Sequence, residues 1–291
     1  MQLQQTIQSF GDWLYQVGYS EGTQNMLPAL VTEFITQQRI TDIRYVEQEK
    51  VKAFYAYLQT RPLKKRSGGG LSEAMIYHYV YALKTFFSWL EITGQLDYNP
   101  VSGMKFKRPT INQRQPLPIE EIQALFAACR TQKETAVLHV FYSCGLRRSE
   151  GVMLNSTDLH YRERLLYVRA GKGAKRRVVP MPVAVSAALE RYYLEERCHS
   201  RVKRVQDEDA FFLNRIGSRM QGDQLNKLLK RLLERTTVSK DTTLHHLRHS
   251  IATHLLQGGM GMEWVRDFLG HTWLETTQVY AKPTPQQLQL L

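Results

Sequence analysis

Apolar positions in the first hundred residues recur with the period of an α-helix. In 23–38 and again in 46–58 they fall three or four residues apart, and Pro62 ends the second run. A longer run of the same kind covers 72–94. No stretch of this half alternates between apolar and polar residues as a half-buried strand does. The pattern predicts a bundle of four or five helices over 1–104.

The second half combines helical patterns with a short β element. The segments 165–168 and 176–180 are predicted as two short strands on either side of Lys172, which has a glycine on each side, and together they predict a β-hairpin with a basic tip. The segment 211–213 is a candidate short strand. A helix is predicted from Pro118 onward, and further helices are predicted over 134–144, 183–196, 225–233, 246–256, 262–269 and 274–281. The fold class is therefore mainly α with a small hairpin.

Cations alternate with prolines between the two halves. The cations are Lys105, Lys107, Arg108 and Arg114, and the prolines are Pro109, Pro116 and Pro118. Such composition predicts an extended basic linker over 105–117, between a helical domain at 1–104 and a second domain at 118–291. An ordinary surface loop is the alternative. The density of cations favours a segment that lies along a phosphate backbone.

The net positive charge of the chain limits the kinds of binding partner that are expected. The 291 residues carry a formal net charge of +12, which favours a polyanion. Membrane surfaces and acidic proteins are the rivals, but no basic amphipathic helix stands out, so nucleic acid is preferred over a membrane. The first residues lack the regions of a signal peptide, and we expect a cytoplasmic, nucleoid-associated protein with reduced cysteines.

Six polar side chains stand in runs that are otherwise apolar or rich in glycine. They are Arg147, Lys172, His245, Arg248, His271 and Tyr280. Five of them are cationic or can become so, and the sixth carries a phenol. Together they supply what is needed to hold a phosphodiester, neutralise its charge and attack it.

Taken singly, these residues leave alternatives open. Arg147 is also explained as a solvated arginine held by Glu150 three residues later, and Arg148 is an equivalent candidate. Lys172 is equally a lysine at the tip of a turn. One tyrosine among fifteen, such as Tyr280, is usually a core or surface residue.

The histidines raise the question of a metal. His245 and His249 have the i,i+4 spacing of a zinc site, but no metalloprotease glutamate or third ligand accompanies them. Arg248 lies on the same helical face and favours an anion over a cation. We therefore predict a phosphate site without metal; the alternative is a helix-terminal histidine that is capped by its neighbours.

The motifs together resemble the tyrosine recombinase (phage integrase) family, most closely its Xer-like bacterial members. The matching runs are 142–150, 171–180, 244–256 and 269–280, in matching order and spacing over about 115–282. The first half is more loosely similar to the SAM-like core-binding domain of that family.

This resemblance implies a role for each catalytic candidate. Arg147 and Arg248 would clamp the scissile phosphate. Tyr280 would attack it to give a 3′-phosphotyrosyl link, and Lys172 would protonate the leaving 5′ oxygen. No cofactor is implied, because the ester conserves the energy of the broken bond.

The remaining implied roles are supporting ones. His245 would hydrogen-bond the phosphate and assist proton transfer, His271 would be a further donor, and Glu150 would orient Arg147 or a histidine. The cations expected to contact DNA are Lys64, Lys65, Arg66, Lys105, Lys107, Arg108, Lys175 and Arg176.

The implied activity is site-specific DNA recombination at inverted-repeat sites in double-stranded DNA. The expected assembly is a homo-oligomer on DNA, a dimer on each site and a tetramer in the synapse, with a second recombinase as a possible partner. Gly68–Gly70 and the short segment after Tyr280 favour a mobile-element integrase over a Xer-type resolvase of chromosome dimers. A type IB topoisomerase and a catalytically inactive DNA-binding protein are the more distant alternatives.

Overall fold

The chain divides into two compact units, Met1–Asn112 and Gln113–Leu291. The computed structural model describes residues 2–62, 70–110, 115–169 and 176–270. Over these ranges the predicted mainly α fold with a small sheet is confirmed. None of the helices in the same ranges combines the length and apolarity needed to cross a bilayer.

The first unit is a helical bundle. Its helices are α1 (Gln2–Gln16), α2 (Glu21–Gln37), α3 (Gln48–Thr60) and α4 (Glu73–Ile92). Serine side chains cap two of them: Ser20 Oγ accepts from the backbone N of Thr23 at 3.4 Å, and Ser72 Oγ from that of Met75 at 3.2 Å. These bonds satisfy amide groups that a helix N-terminus leaves unpaired.

Phenylalanine rings form the centre of this unit. We call Phe10, Phe34, Phe54, Phe86 and Phe87 the aromatic core, and each is fully buried. The rings of Phe34 and Phe54 meet edge to face with centroids 5.1 Å apart, and those of Phe10 and Phe86 do so at 5.2 Å. Such pairs add to the stabilisation from apolar burial alone.

The second unit holds seven further α-helices in the described residues. They are α5 (Ile119–Ala127), α6 (Gln132–Leu138), α7 (Arg148–Met153), α8 (Val183–Tyr192), α9 (Gly222–Leu233), α10 (Leu244–Gln257) and α11 (Met262–Leu269). Two π-helical turns, His139–Ser143 and Tyr193–Arg197, continue α6 and α8. The predictions for this half omitted α7, and the helix predicted over 274–281 lies outside the described residues.

A three-stranded antiparallel sheet in the order β1-β2-β3 completes this unit. It consists of β1 (Leu159–His160), β2 (Leu165–Val168) and β3 (Arg177–Pro180). Val168 pairs with Arg177, so β2 and β3 are the strands of the predicted hairpin, whose tip lies outside the described residues.

The strand predicted over 211–213 is wrong. In this segment only Leu213 makes a β-bridge, to Arg219, while Phe211 and Phe212 are buried against Tyr192. The apolar run reflects burial of two rings in the core, which a short sequence pattern does not distinguish from a buried strand.

Candidate active site

Arg147 follows a turn that requires glycine. After the π-helical turn His139–Ser143, Gly145 takes a φ of 61°, in the left-handed region that side chains disfavour. A Cβ atom here would lie 3.0 Å from Cε1 of Phe268 and 3.1 Å from Cδ2 of Leu269. The glycine therefore lets the chain pass close to α11 and brings Arg147 to the N-terminus of α7.

Glu150 in α7 is the common acceptor for several arginine groups. Its carboxylate accepts from the backbone N of Arg147 at 2.7 Å, which caps α7, and from Arg147 Nη1 at 2.8 Å. Arg177 on β3 adds two parallel bonds, Nη1 to Oε1 and Nη2 to Oε2, each 2.9 Å long. Arg248 Nη1 lies 3.7 Å from Oε2. We call these four residues the arginine cluster.

The environment keeps Glu150 ionised. Burial alone would raise the pKa of its carboxyl, but the hydrogen bonds and charge of Arg177, together with bonds from Arg147, outweigh it and lower the pKa to about 2. The side chains of Glu150 and Arg177 are only 10% and 7% exposed, so solvent screens the pair weakly. Three guanidinium groups thus share one carboxylate, and positive charge is in excess.

The C-terminus of α11 binds the same three arginines. The Phe268 carbonyl accepts from Arg177 Nε at 2.9 Å, and the Leu269 carbonyl accepts from Arg248 Nη2 at 2.7 Å. The next carbonyl, that of Gly270, accepts from Arg147 Nη2 at 2.9 Å. Carbonyls at a helix C-terminus lack intrahelical partners and carry partial negative charge, so guanidinium groups suit them.

Two adjacent histidines at the start of α10, His245 and His246, have different environments. His246 Nδ1 accepts from the backbone N of Thr243 at 3.1 Å, and Thr243 Oγ1 accepts from the backbone N of His246. This reciprocal arrangement caps the helix. His245 is exposed on the first turn of α10.

The structure brings together Arg147, Arg248 and Glu150 among the residues singled out from sequence. Arg147 has a side chain 37% exposed and is accessible to a ligand, whereas Arg248 is 1% exposed. Lys172, His271 and Tyr280 lie outside the described residues. Glu150, which was expected to orient Arg147 or a histidine, forms side-chain hydrogen bonds with Arg147 and Arg177.

The cations predicted to contact DNA are only partly described. Lys105, Lys107 and Arg108 are exposed in the first unit, and Arg176 is exposed just before β3. Lys107 Nζ bonds Glu73 Oε1 at 2.6 Å, so an anion must compete for it. Lys64, Lys65, Arg66 and Lys175 lie outside the described residues.

Arg177 was missed in the sequence predictions, which selected Arg176 beside it. The alternation of a strand contained the signal. Arg177 lies two residues before the fully buried Val179, so the two point to the same face of β3. An arginine on the buried face of a strand needs a counter-charge, and Glu150 supplies it.

The arrangement is suited to binding an oxyanion. Arg147 presents part of its guanidinium to solvent, and the surrounding hydrogen bonds hold it in place before any ligand arrives. Fixed donors of this kind stabilise charge that develops in a transition state. Across the described ranges, no group of three or more His, Cys, Asp or Glu side chains is arranged to hold a metal ion.

Comparison with known proteins gives a consistent family. The sequence model of the Phage integrase family matches residues 115–287. The chain is 30% identical to a tyrosine recombinase of Thermosipho africanus, over 98% of this chain and 97% of that protein. It is 32% identical to tyrosine recombinase XerC 2 of Ralstonia nicotianae, over 78% of this chain and 67% of that protein.

The fold is likewise that of solved recombinases. The structure of the Tn1549 transposon integrase in complex with circular intermediate DNA superposes with a TM-score of 0.74 at 20% identity, covering 98% of each chain. Similarity at this identity concerns the fold. The family resemblance drawn from the motifs is confirmed by the sequence matches.

Proposed function

Because the chain belongs to the phage integrase family and is a tyrosine site-specific recombinase, we propose that it cleaves and rejoins duplex DNA with Tyr280 as the nucleophile. The observation that carries this assignment is the convergence of Arg147 and Arg248. Although far apart in sequence, they donate to the successive carbonyls of Gly270 and Leu269 and share Glu150. Two guanidinium groups held side by side suit the two non-bridging oxygens of one phosphate.

The proposed chemistry needs no external energy source. The phenolic oxygen of Tyr280 attacks the scissile phosphorus, the bond from phosphorus to the 5′ oxygen breaks, and Lys172 donates a proton to that oxygen. His245 takes up the phenolic proton, and His271 donates a further hydrogen bond to the phosphate. Attack by a 5′ hydroxyl of another strand reverses the sequence and restores a phosphodiester in the exchanged position.

Double-stranded DNA with inverted repeats is the proposed substrate. The Tn1549 integrase, which shares the fold, is described in complex with DNA. The exposed cations Lys105, Lys107, Arg108 and Arg176 supply phosphate contacts in this proposal. We propose further that the domain at 1–104 and the domain at 118–291 both contact DNA, with the cations at 64–66 and Lys175 adding to them.

The proposed assembly is a dimer on each site and a tetramer in the synapse. A second recombinase can take the place of some of the subunits. The proposed biological role is integration or excision of a mobile element. Resolution of chromosome dimers is a second candidate, favoured by the Xer name of the Ralstonia nicotianae relative. Inverted repeats found at the ends of an element that carries the gene support the first role. A single conserved chromosomal site supports the second.

A nicked suicide substrate tests the nucleophile. The DNA target site is obtained by selecting bound duplexes from a randomised library. A nick beside the cleavage point lets the short fragment that carries the new 5′ hydroxyl diffuse away, so the covalent adduct cannot be reversed. Wild-type protein is expected to accumulate a covalent adduct on the 3′ phosphate, and Tyr280→Phe to form none. Mass spectrometry of the adduct identifies the modified residue.

Three outcomes would contradict the proposal. An adduct formed by Tyr280→Phe would reject the nucleophile, and no adduct from the wild-type protein would indicate a DNA-binding protein without catalysis. Relaxation of supercoiled DNA that lacks the selected site would indicate a type IB topoisomerase. Incubating wild-type protein with such a plasmid is therefore run in parallel.

A further inference from the structure

The Arg177 side chain is held by hydrogen bonds to Glu150 and to the C-terminal end of α11. Its two Nη atoms donate to the two oxygens of Glu150 and its Nε donates to the Phe268 carbonyl, all at 2.9 Å. The side chain is 7% exposed. Each of its three guanidinium nitrogens thus already donates to a protein acceptor, so its effect on the reaction passes through the residues it touches.

We call Arg147 and Arg248, the arginines proposed to bind the scissile phosphate, the phosphate clamp. We propose that Arg177 is a positioning residue that orients this clamp by acting through Glu150 on Arg147. This inference rests on the proposed function, because it concerns the arginines assigned to the scissile phosphate. Two parallel bonds fix both the plane and the distance of the Glu150 carboxylate. The same two oxygens receive the backbone N and Nη1 of Arg147, so the orientation of the carboxylate determines where that guanidinium lies.

A second path leads through the end of α11. Arg177 holds the Phe268 carbonyl, and the next two carbonyls hold Arg248 and Arg147. A Cβ atom at Gly270 would lie 2.8 Å from Cδ of Arg177, so only glycine lets the arginine stem pack against the chain there. Arg177 therefore fixes the row of carbonyls on which both clamp arginines rest.

Lysine does not replace arginine in this position. A single ammonium group keeps the charge but lacks the planar fork that engages both carboxylate oxygens while a third N–H reaches Phe268. Arg177→Lys should therefore leave the Glu150 charge compensated and release the orientation of its carboxylate. A misplacement of about 1 Å at a reacting centre costs on the order of 100-fold in rate.

Arg177 is the first residue of β3 and lies five residues after Lys172 in the sequence, which gives a competing route. If Arg177 acted by placing Lys172, its loss would impair protonation of the 5′ oxygen. If it acts on the clamp, its loss impairs neutralisation of the non-bridging oxygens. The two routes predict different responses to chemically altered substrates.

The test uses three versions of the nicked suicide duplex. One has an ordinary scissile phosphodiester, one has sulfur in place of the leaving 5′ oxygen, and one has a methylphosphonate in place of the scissile phosphate. Sulfur leaves readily without a proton donor, and methylphosphonate lacks the negative charge that the clamp neutralises. Adduct formation is timed for wild type, Arg177→Lys and Arg177→Gln, per folded molecule.

For the ordinary phosphodiester and the sulfur substrate, we expect both variants to lose on the order of 100-fold in rate. On the methylphosphonate the loss should shrink to about threefold or less, because the charge that the misplaced clamp fails to stabilise has been removed. Rescue by the sulfur substrate alone would overturn the inference and assign Arg177 to the Lys172 route. Equal losses on all three substrates would also contradict the inference, because they would show that Arg177 has only a structural role.

Arg219→Gln is the matched structural control. Arg219 donates to the carbonyls of Val152 and Leu154 at 3.0 and 3.1 Å and to Asn155 Oδ1 at 2.7 Å, apart from the arginine cluster. Its loss should change the three rates by one common factor. An active wild type with unaltered Arg177 variants would reject this inference alone. An inactive wild type would reject both it and the proposed function.

Discussion

The aromatic core of the first unit and the arginine cluster of the second are both buried, yet they are built from opposite materials. The aromatic core gains stability from many small dispersion contacts and from removal of apolar surface from water. In the arginine cluster, one carboxylate and the carbonyls of Phe268, Leu269, Gly270 and Gly145 compensate three buried or partly buried charges. Loss of one ring leaves a cavity, whereas loss of the carboxylate leaves charges without a partner.

The largest effect is expected for Glu150→Gln. The substitution keeps the shape of the side chain but removes the charge that compensates Arg177 and Arg147. Removing one partner of a buried ion pair costs about 3–5 kcal/mol in unfolding free energy. Cleavage should also fall by about 10²–10³, as for loss of a preorganised donor. Urea unfolding and the suicide-substrate assay measure the two losses.

A double substitution checks the origin of this cost. Glu150→Gln with Arg177→Met removes the carboxylate together with the arginine that makes two bonds to it, and should recover about 0.5–3 kcal/mol relative to additivity. Strictly additive losses would show that the two side chains do not depend on each other. The cluster would then resemble the aromatic core in its response.

A purely structural effect, with no accompanying loss of cleavage chemistry, is expected for Phe86→Ala. Phe86 is fully buried and its ring lies 5.2 Å from that of Phe10 and 5.4 Å from that of Phe87. Removal of a buried phenylalanine ring costs about 3–5 kcal/mol. Hydrogen exchange of peptides from α4, read by mass spectrometry, locates the loss in the first unit. The matched control is Ile92→Ala, at a position 82% exposed, where exchange should be unchanged.

Much of the fold was predictable because it is encoded locally. The helical period located α2, α3, α4 and the helices from α8 to α11, and the two short segments on either side of Lys172 located β2 and β3. By contrast, α7 is only six residues long and contains Gly151, where a Cβ atom would lie 2.3 Å from Cζ of Phe141. Packing against that ring selects the glycine, and such a contact leaves no periodic signal.

The site was predictable only as far as its motifs reach. Arg147, Arg248 and Glu150 were identified from runs that resemble a family, while the role of Arg177 depends on contacts with α7 and α11. Those contacts join segments far apart in sequence, and neither the charge of a residue nor its neighbours discloses them. The buried face of β3 was the available signal, and it identifies a need for a counter-charge without naming Glu150.

Acidification is also expected to separate the two regions. The folded pKa of Glu150 is about 2, below its ordinary value of 4.5, after the bonds from Arg177 and Arg147 outweigh burial. A group with a lowered folded pKa stabilises the protein fully above its unfolded pKa, and this contribution is lost as the pH falls from 4.5 through 2. The difference corresponds to about 3 kcal/mol. Phenylalanine rings do not titrate, so the aromatic core adds nothing to this slope.

Unfolding free energies of wild type and Glu150→Gln, measured between pH 5 and about pH 2.5, should therefore converge as the pH falls. Parallel curves would mean that Glu150 does not titrate with a lowered pKa, and would remove the electrostatic distinction between the arginine cluster and the aromatic core.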